Sequence, residues 1–190
     1  MLAEQKINSN YLTFIQKMQN YGCYSESMLA DIGEKIKTAP YSKNSRDGGA
    51  YVGGLVETTL FTLCRIAVSI NEGFVNTAPE LHVNNNMLIK CLLLLNIAKA
   101  EMFEPEEEQY MLKKGNIYKF SNKETYLRVG ERSLFMCNKY GISLEEEEFA
   151  AILLSDNREE NARIAESPLC QIIAAARNLT QTYLTIKNKD

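Results

Sequence analysis

The sequence predicts an all-α domain that carries one small β-hairpin. Apolar residues recur at three- and four-residue spacing along most of the chain, the period of a helix with one buried face. The four prolines, Pro40, Pro79, Pro105 and Pro168, fall at the ends of those runs rather than inside them. Between residues 109 and 121, β-forming side chains flank Lys114, Gly115 and Asn116 in QYMLKKGNIYKFS, which reads as a hairpin.

Ser9 and Asn10 are good N-cap residues, and Tyr11, Phe14, Ile15 and Met18 then form a helical stripe that stops near Gly22. A second helix follows Ser25 or Ser27, turns Leu29, Ile32 and Ile36 inward, and ends before Pro40. Residues 39–49, APYSKNSRDGG, are turn formers without periodicity and read as a loop. A long helix is expected from Ala50, with Leu55, Val56, Leu60, Leu63, Ile66, Ala67 and Ile70 on its buried face and Gly73 as its stop. Asn84, Asn85 and Asn86 cap the next helix, MLIKCLLLLNIAKA, which is apolar nearly all round and so belongs at the centre. Helices are expected over 130–140, 145–155 and 168–185, the second opened by Ser143 with Glu145 to Glu148 in its dipole-favoured first turn. No repeat, linker or low-complexity tract divides the chain, so residues 1–190 are expected to form a single domain: N-terminal helices over 1–37 and a core over 38–180.

Charged residues make up 24% of the chain and the net charge is −3, with 21 Lys and Arg scattered rather than bunched. That leaves no electrostatic footprint for nucleic acid or for acidic membranes. The five cysteines, Cys23, Cys64, Cys91, Cys137 and Cys170, are odd in number and set among apolar neighbours, the pattern of reduced, buried thiols. The first residues lack a basic segment followed by an apolar one, and no apolar run is long enough to span a bilayer. A cytoplasmic protein is expected, in the host cytoplasm if the source is viral. Fourteen Lys against seven Arg, with many Asn, suit an AT-rich bacterial or phage genome. The one histidine, His82, lies in a polar loop after Pro79, where a surface position is expected and a multi-histidine metal site cannot be built.

Five segments together resemble the HD-domain phosphohydrolases. TAPYSKNSRDGGAYVGGLVETTLFTLCRIA is similar to the opening loop and first helix of that family, and CLLLLNIAKAEMF to its His-Asp helix. VGERSLFMCNKYG resembles the His-Gly-Glu segment, EEEFAAILLSDN the following helix, and SPLCQIIAAARNLT the closing helix that carries an aspartate. The likeness runs in order from about Thr38 to Thr180, with a loop near residue 45 that is a couple of residues longer, and it implies an HD-like helical bundle with the hairpin as an insertion. Residues resembling the family scaffold are Tyr51, Gly53, Gly54, Leu55, Glu57, Lys99, Gly130, Glu131, Arg132 and Pro168.

In that family, histidines and aspartates converge on divalent metal that activates water for phosphoester hydrolysis. The positions that the resemblance assigns to those ligands hold Gly48 in the loop, Thr58 in the first helix, Leu95 and Asn96 for the His-Asp pair, Val129 before Gly130, Ser155, and Arg177 for the closing aspartate. Leu95 and Val129 cannot coordinate a metal, and Arg177 brings a fixed positive charge where a cation should lie. The resemblance therefore implies a pseudoenzyme: no metal, no cofactor, no hydrolase activity, and a structural or regulatory role through protein–protein contact, with a protein partner or a second copy of the chain.

Two rival expectations remain. In the first, Lys99, Arg132 and Arg177 bind a nucleotide phosphate in the old cleft, against the simpler alternative that they reach solvent or pair with Glu131 and Asp156. In the second, Asp47, Glu57, Glu131 and Asp156 hold a hard cation through carboxylates alone, against structural roles for Glu57 and Glu131 at helix ends. The acidic runs Glu104 to Glu108 and Glu145 to Glu148 read as solvated helix starts rather than docking patches. Tyr118, Phe120 and Tyr126 read as cover for a core edge. Gly53-Gly54 lacks the ending of a phosphate loop and reads as a site of close helix packing.

Overall fold

Ten α-helical segments and a two-stranded sheet are built by residues 2–121, 127–155 and 167–188, the parts of the chain that the computed structural model describes. Asp156 and Tyr126 lie outside them. Helix α1 (Glu4–Asn20) begins six residues before Asn10, because Glu4, Gln5 and Lys6 are good helix formers and an acidic first turn suits the dipole. Asn10 therefore sits inside the helix, buried beside Phe14 and Met18, and is not its cap. Helix α2 (Glu26–Thr38) is capped by Ser25, whose hydroxyl accepts the Met28 N–H. It buries Met28, Ile32 and Ile36, with Leu29 only half-buried.

The long central helix starts at Gly54, not Ala50, and has three parts: α3 (Gly54–Thr58), one π-helical turn (Thr59–Leu63) and α4 (Cys64–Thr77). The π turn absorbs one extra residue, so that Leu55 and Leu60, five apart, both face the core. Gly73 does not stop this helix; its φ is not positive, and the chain stays helical until Ala78, where the following Pro79 disfavours the α conformation. Buried Asn71 ties the next loop down: its amide donates to the Val83 carbonyl and accepts the Val83 N–H.

A side chain on Gly54 would run into the Gly49 carbonyl oxygen, so this glycine packs the helix start against the preceding loop, while one on Gly53 would meet Ile7 of α1 and the Lys37 carbonyl of α2, the close helix packing expected of the pair. Gly54→Ala should therefore destabilise the protein by about 1–3 kcal/mol, the range for forcing atoms into a filled site. Urea denaturation of the two proteins measures it, and equal midpoints would show that the loop gives way freely.

Helix α5 (Asn85–Leu94) is the apolar centre, with Leu88, Leu92 and Leu94 fully buried. The apolar run does not continue as one helix: residues 95–98 form tight turns before α6 (Lys99–Met102). Ser133 explains the break, because its hydroxyl donates to the Leu95 carbonyl and accepts the Ala98 N–H, satisfying backbone groups in the buried turn. Helix α8 (Val129–Lys139) holds Ser133; α9 (Glu146–Leu154) and α10 (Pro168–Lys187) follow. Helix α9 is opened by Glu145, not Ser143, through a capping box in which Glu148 accepts the Glu145 N–H.

The sheet exists, but the expected hairpin does not. Gln109–Lys113 form a short helix, α7, since Gln, Met, Leu and Lys all favour helix. Gly115, at φ 87°, ends it, and the Asn116 N–H donates back to the Met111 carbonyl. The partner of β2 (Tyr118–Phe120) is β1 (Phe103–Pro105), antiparallel, with Phe103 opposite Phe120 and Glu104 opposite Lys119. Glu104 is thus a strand residue, and Glu106 turns the chain by accepting the N–H groups of Glu107 and Glu108.

One continuous hydrophobic cluster runs from Phe14 in α1 to Leu184 in α10. At its centre α4, α5, α9 and α10 pack on one another, with α1 and α2 against one side and α8 against α9. All five cysteines are free and buried. Among the described residues no helix is long and apolar enough to cross a membrane.

Candidate functional site

The loop over residues 41–49 is the hub to which several of the sequence-predicted positions attach. It is closed by the Tyr41 N–H donating to the Gly49 carbonyl at 2.9 Å. Lys99, from α6, donates to the Tyr41 carbonyl at 2.8 Å and sits 3.9 Å from the centroid of the Tyr41 ring. Thr58, in α3, places its hydroxyl 3.3 Å from where a Gly49 side chain would begin. From α10, Gln181 donates to the Asp47 carbonyl at 3.0 Å, and Leu184 lies over Gly48.

Gly48 has a φ of 74°, and a Cβ there would come within 2.8 Å of the Leu184 Cβ. Both conformation and space exclude an ordinary side chain. Gly48, Gly49, Tyr51, Leu184, Lys187 and Asn188 line a cleft of about 200 Å³.

Leu95 and Asn96 are buried at the C-terminal end of α5. Among the described residues, neither the nitrogen nor the oxygen of the Asn96 amide has a hydrogen-bond partner, and the same holds for the hydroxyls of Thr58 and Thr180. Each buried group left so carries a desolvation cost of about 1–3 kcal/mol. Arg177, one turn before Gln181 on α10, donates through its guanidinium to the Ser155 carbonyl at the end of α9. The positive charge meets the carbonyl end of that helix, where the dipole favours it. Val129 begins α8 and is half-buried against the core.

Arg132 pairs with Glu101 at 3.0 Å rather than with Glu131, and Lys35 reaches the same carboxylate at 3.4 Å. Lys99, Arg132 and Arg177 thus engage three different partners on three elements. Glu131 accepts the Arg128 N–H and closes the start of α8. Glu57 accepts the Tyr51 hydroxyl at 2.7 Å, and burial together with this carboxylate pushes the Tyr51 phenol well above its ordinary range. Asp47 is exposed in a 3-10 turn, and His82 is exposed in the loop before α5.

Sequence reasoning missed Tyr41, Ser133 and Glu101, the side chains that fasten this region. Ser133 alone left a signal, a hydroxyl on the same helical face as Gly130 and Cys137. Among the described residues, no three His, Cys, Asp or Glu side chains are grouped to hold a metal ion. The side chains at the positions to which the resemblance would assign metal ligands do not suit a divalent cation, since Leu95 and Val129 offer no donor, Gly48 has no room for one, and Arg177 is cationic. No family model, curated protein or solved structure matches this chain.

Proposed function

We propose that the chain is an HD-like scaffold whose metal site has been filled in, and that it works as a structural or regulatory subunit through protein–protein contact. The observation that carries this reading is the pair Thr58 and Asn96. Both are buried, both have polar atoms without partners among the described residues, and both stand where the resemblance assigns metal ligands. Polar groups that serve neither packing nor hydrogen bonding in a core are costly, and a relic of an older polar site accounts for them. Leu184 over Gly48 and Arg177 against the end of α9 support the same view, because each occupies space or charge that a cation site would need.

The nucleotide-sensor reading ranks second, since Lys99, Arg132 and Arg177 are each engaged elsewhere. Thermal-shift titration with Mn²⁺, Mg²⁺, Fe²⁺ and a nucleotide panel separates the two, because a ligand that prefers the folded state raises the midpoint. A flat response is the expected result. A metal-dependent rise would overturn the reading, and a rise with nucleotide alone would favour the sensor.

The scaffold part has its own test. Restoring ligands with Thr58→His, Leu95→His, Asn96→Asp and Arg177→Asp should create a protein that Mn²⁺ stabilises. A folded quadruple variant indifferent to Mn²⁺ would show that these positions do not converge.

A further inference from the structure

A cleft of about 530 Å³ opens between α1 and the π turn with α4, floored by Leu60, Phe61, Val68 and Ile89 and flanked by Lys17 and Arg65. Phe61 has two cations over its ring, with the Lys6 ammonium at 5.2 Å and the Arg65 guanidinium at 5.5 Å. Among the described residues, none of Lys6, Lys17 and Arg65 forms an ion pair. An apolar trough with a cationic rim and no counter-charge is suited to an apolar side chain accompanied by carboxylates.

The same chain displays that complement elsewhere. Glu145 and Glu146 are exposed at the start of α9, and Phe149 follows them by four and three residues, which puts it on their face of the helix. Phe149 is 47% exposed, on an element whose other side packs into the core. We propose that the cleft receives the acidic edge of α9, with Phe149, from a second copy of the chain. Such a contact joins two different surfaces, so it builds a head-to-tail chain, or closes as a symmetric pair where each copy's edge fills the other's cleft. It is independent of the proposed loss of the metal site and gives the protein a partner of defined chemistry.

Sedimentation velocity on the full chain tests it, at protein concentrations up to about 1 mM and at low and high salt. The sedimentation coefficient should rise with concentration, and high salt should weaken association because charge pairs at a surface are screened. Lys17→Ala with Arg65→Ala removes the rim, and Glu146→Gln with Phe149→Ser removes the inserted edge; each pair should weaken self-association at least about tenfold. Mixed in equal amounts, the two variants retain one intact cleft and one intact edge, and should form a one-to-one heterodimer that grows no further. Glu146→Lys alone, an exposed change, replaces the second variant if circular dichroism shows that one unfolded. A wild-type protein that stays monomeric overturns the proposal. So does association that persists in both variants, which would move the contact to another face, such as the exposed Leu179, Tyr183 and Ile186 of α10.

Discussion

Replacing Glu148 by alanine should cost the fold about 3–5 kcal/mol, the range for removing one partner of a buried ion pair. Its carboxylate lies 2.6 Å from the Lys90 ammonium, with side-chain exposures of 5% and 15%. The same oxygen accepts the Glu145 N–H at 2.9 Å, so the substitution also opens the N-terminal turn of α9. Lys90 would be left as an uncompensated charge between α5 and α9, the elements that the pair joins. Urea denaturation of the variant gives the loss directly. The double change Lys90→Met with Glu148→Leu should recover most of it, because replacing both charges removes the desolvation cost along with the attraction. A single variant within about 1 kcal/mol of wild type would mean that water reaches the pair and screens it.

Glu148 also shows how much of the molecule was legible before the fold was known. The sequence presents four consecutive glutamates, Glu145 to Glu148, and their composition reads as one solvated helix start. Three of them are exposed and one is buried. The distinction was readable from spacing, since Glu148 precedes Ala151 and Ile152 by three and four residues and so shares their buried face. What no local pattern could supply was Lys90, 58 residues away in the chain.

Raising the pH from 8 to 10 should cost about 4 kcal/mol of stability through three of the buried thiols alone. Burial pushes Cys23, Cys64 and Cys137 up to about 12 from an ordinary value of 9.0, because a thiolate in the apolar core loses its hydration. The unfolded chain therefore begins to release these protons near pH 9 while the folded chain keeps them until about pH 12. Their contribution is intact below pH 9 and is lost as the pH rises through that window. At pH 10 each group accounts for a little over 1 kcal/mol, so the three together give the figure above. Cys91 and Cys170 are displaced in the same direction, also by burial, and add to the loss. Denaturant midpoints at pH 8, 9 and 10 measure the slope, and Cys64→Ala should flatten it. A slope unchanged in that variant would show that Cys64 stays accessible to water. The same burial predicts that native thiols resist alkylation at pH 8 and react on unfolding.

The sequence by itself determined that the chain is helical, which helix lies at the centre, and that the cysteines are buried. These are local properties: apolar side chains at helical spacing have one way to leave water, and a helix apolar on every side has to be surrounded. Helix ends were less legible where two signals competed. Gly73 offered a stop, but Pro79 enforced one, and Asn71 bonded to Val83 carried the helix up to it. Lys114, Gly115 and Asn116 serve a helix end as readily as a hairpin, and the choice fell to β2, which pairs with Phe103–Pro105 instead of with its sequence neighbour.

Only the tertiary structure decided the partners of the charged and polar groups. Arg132 faces Glu101 rather than Glu131, Arg177 faces the end of α9, and Gly48 lies under Leu184. The physical reason is range. Periodicity reports which face of an element is buried, but a hydrogen bond or ion pair requires two groups within a few ångströms, and the groups that meet here lie tens of residues apart. Their choice is fixed only when the helices have packed.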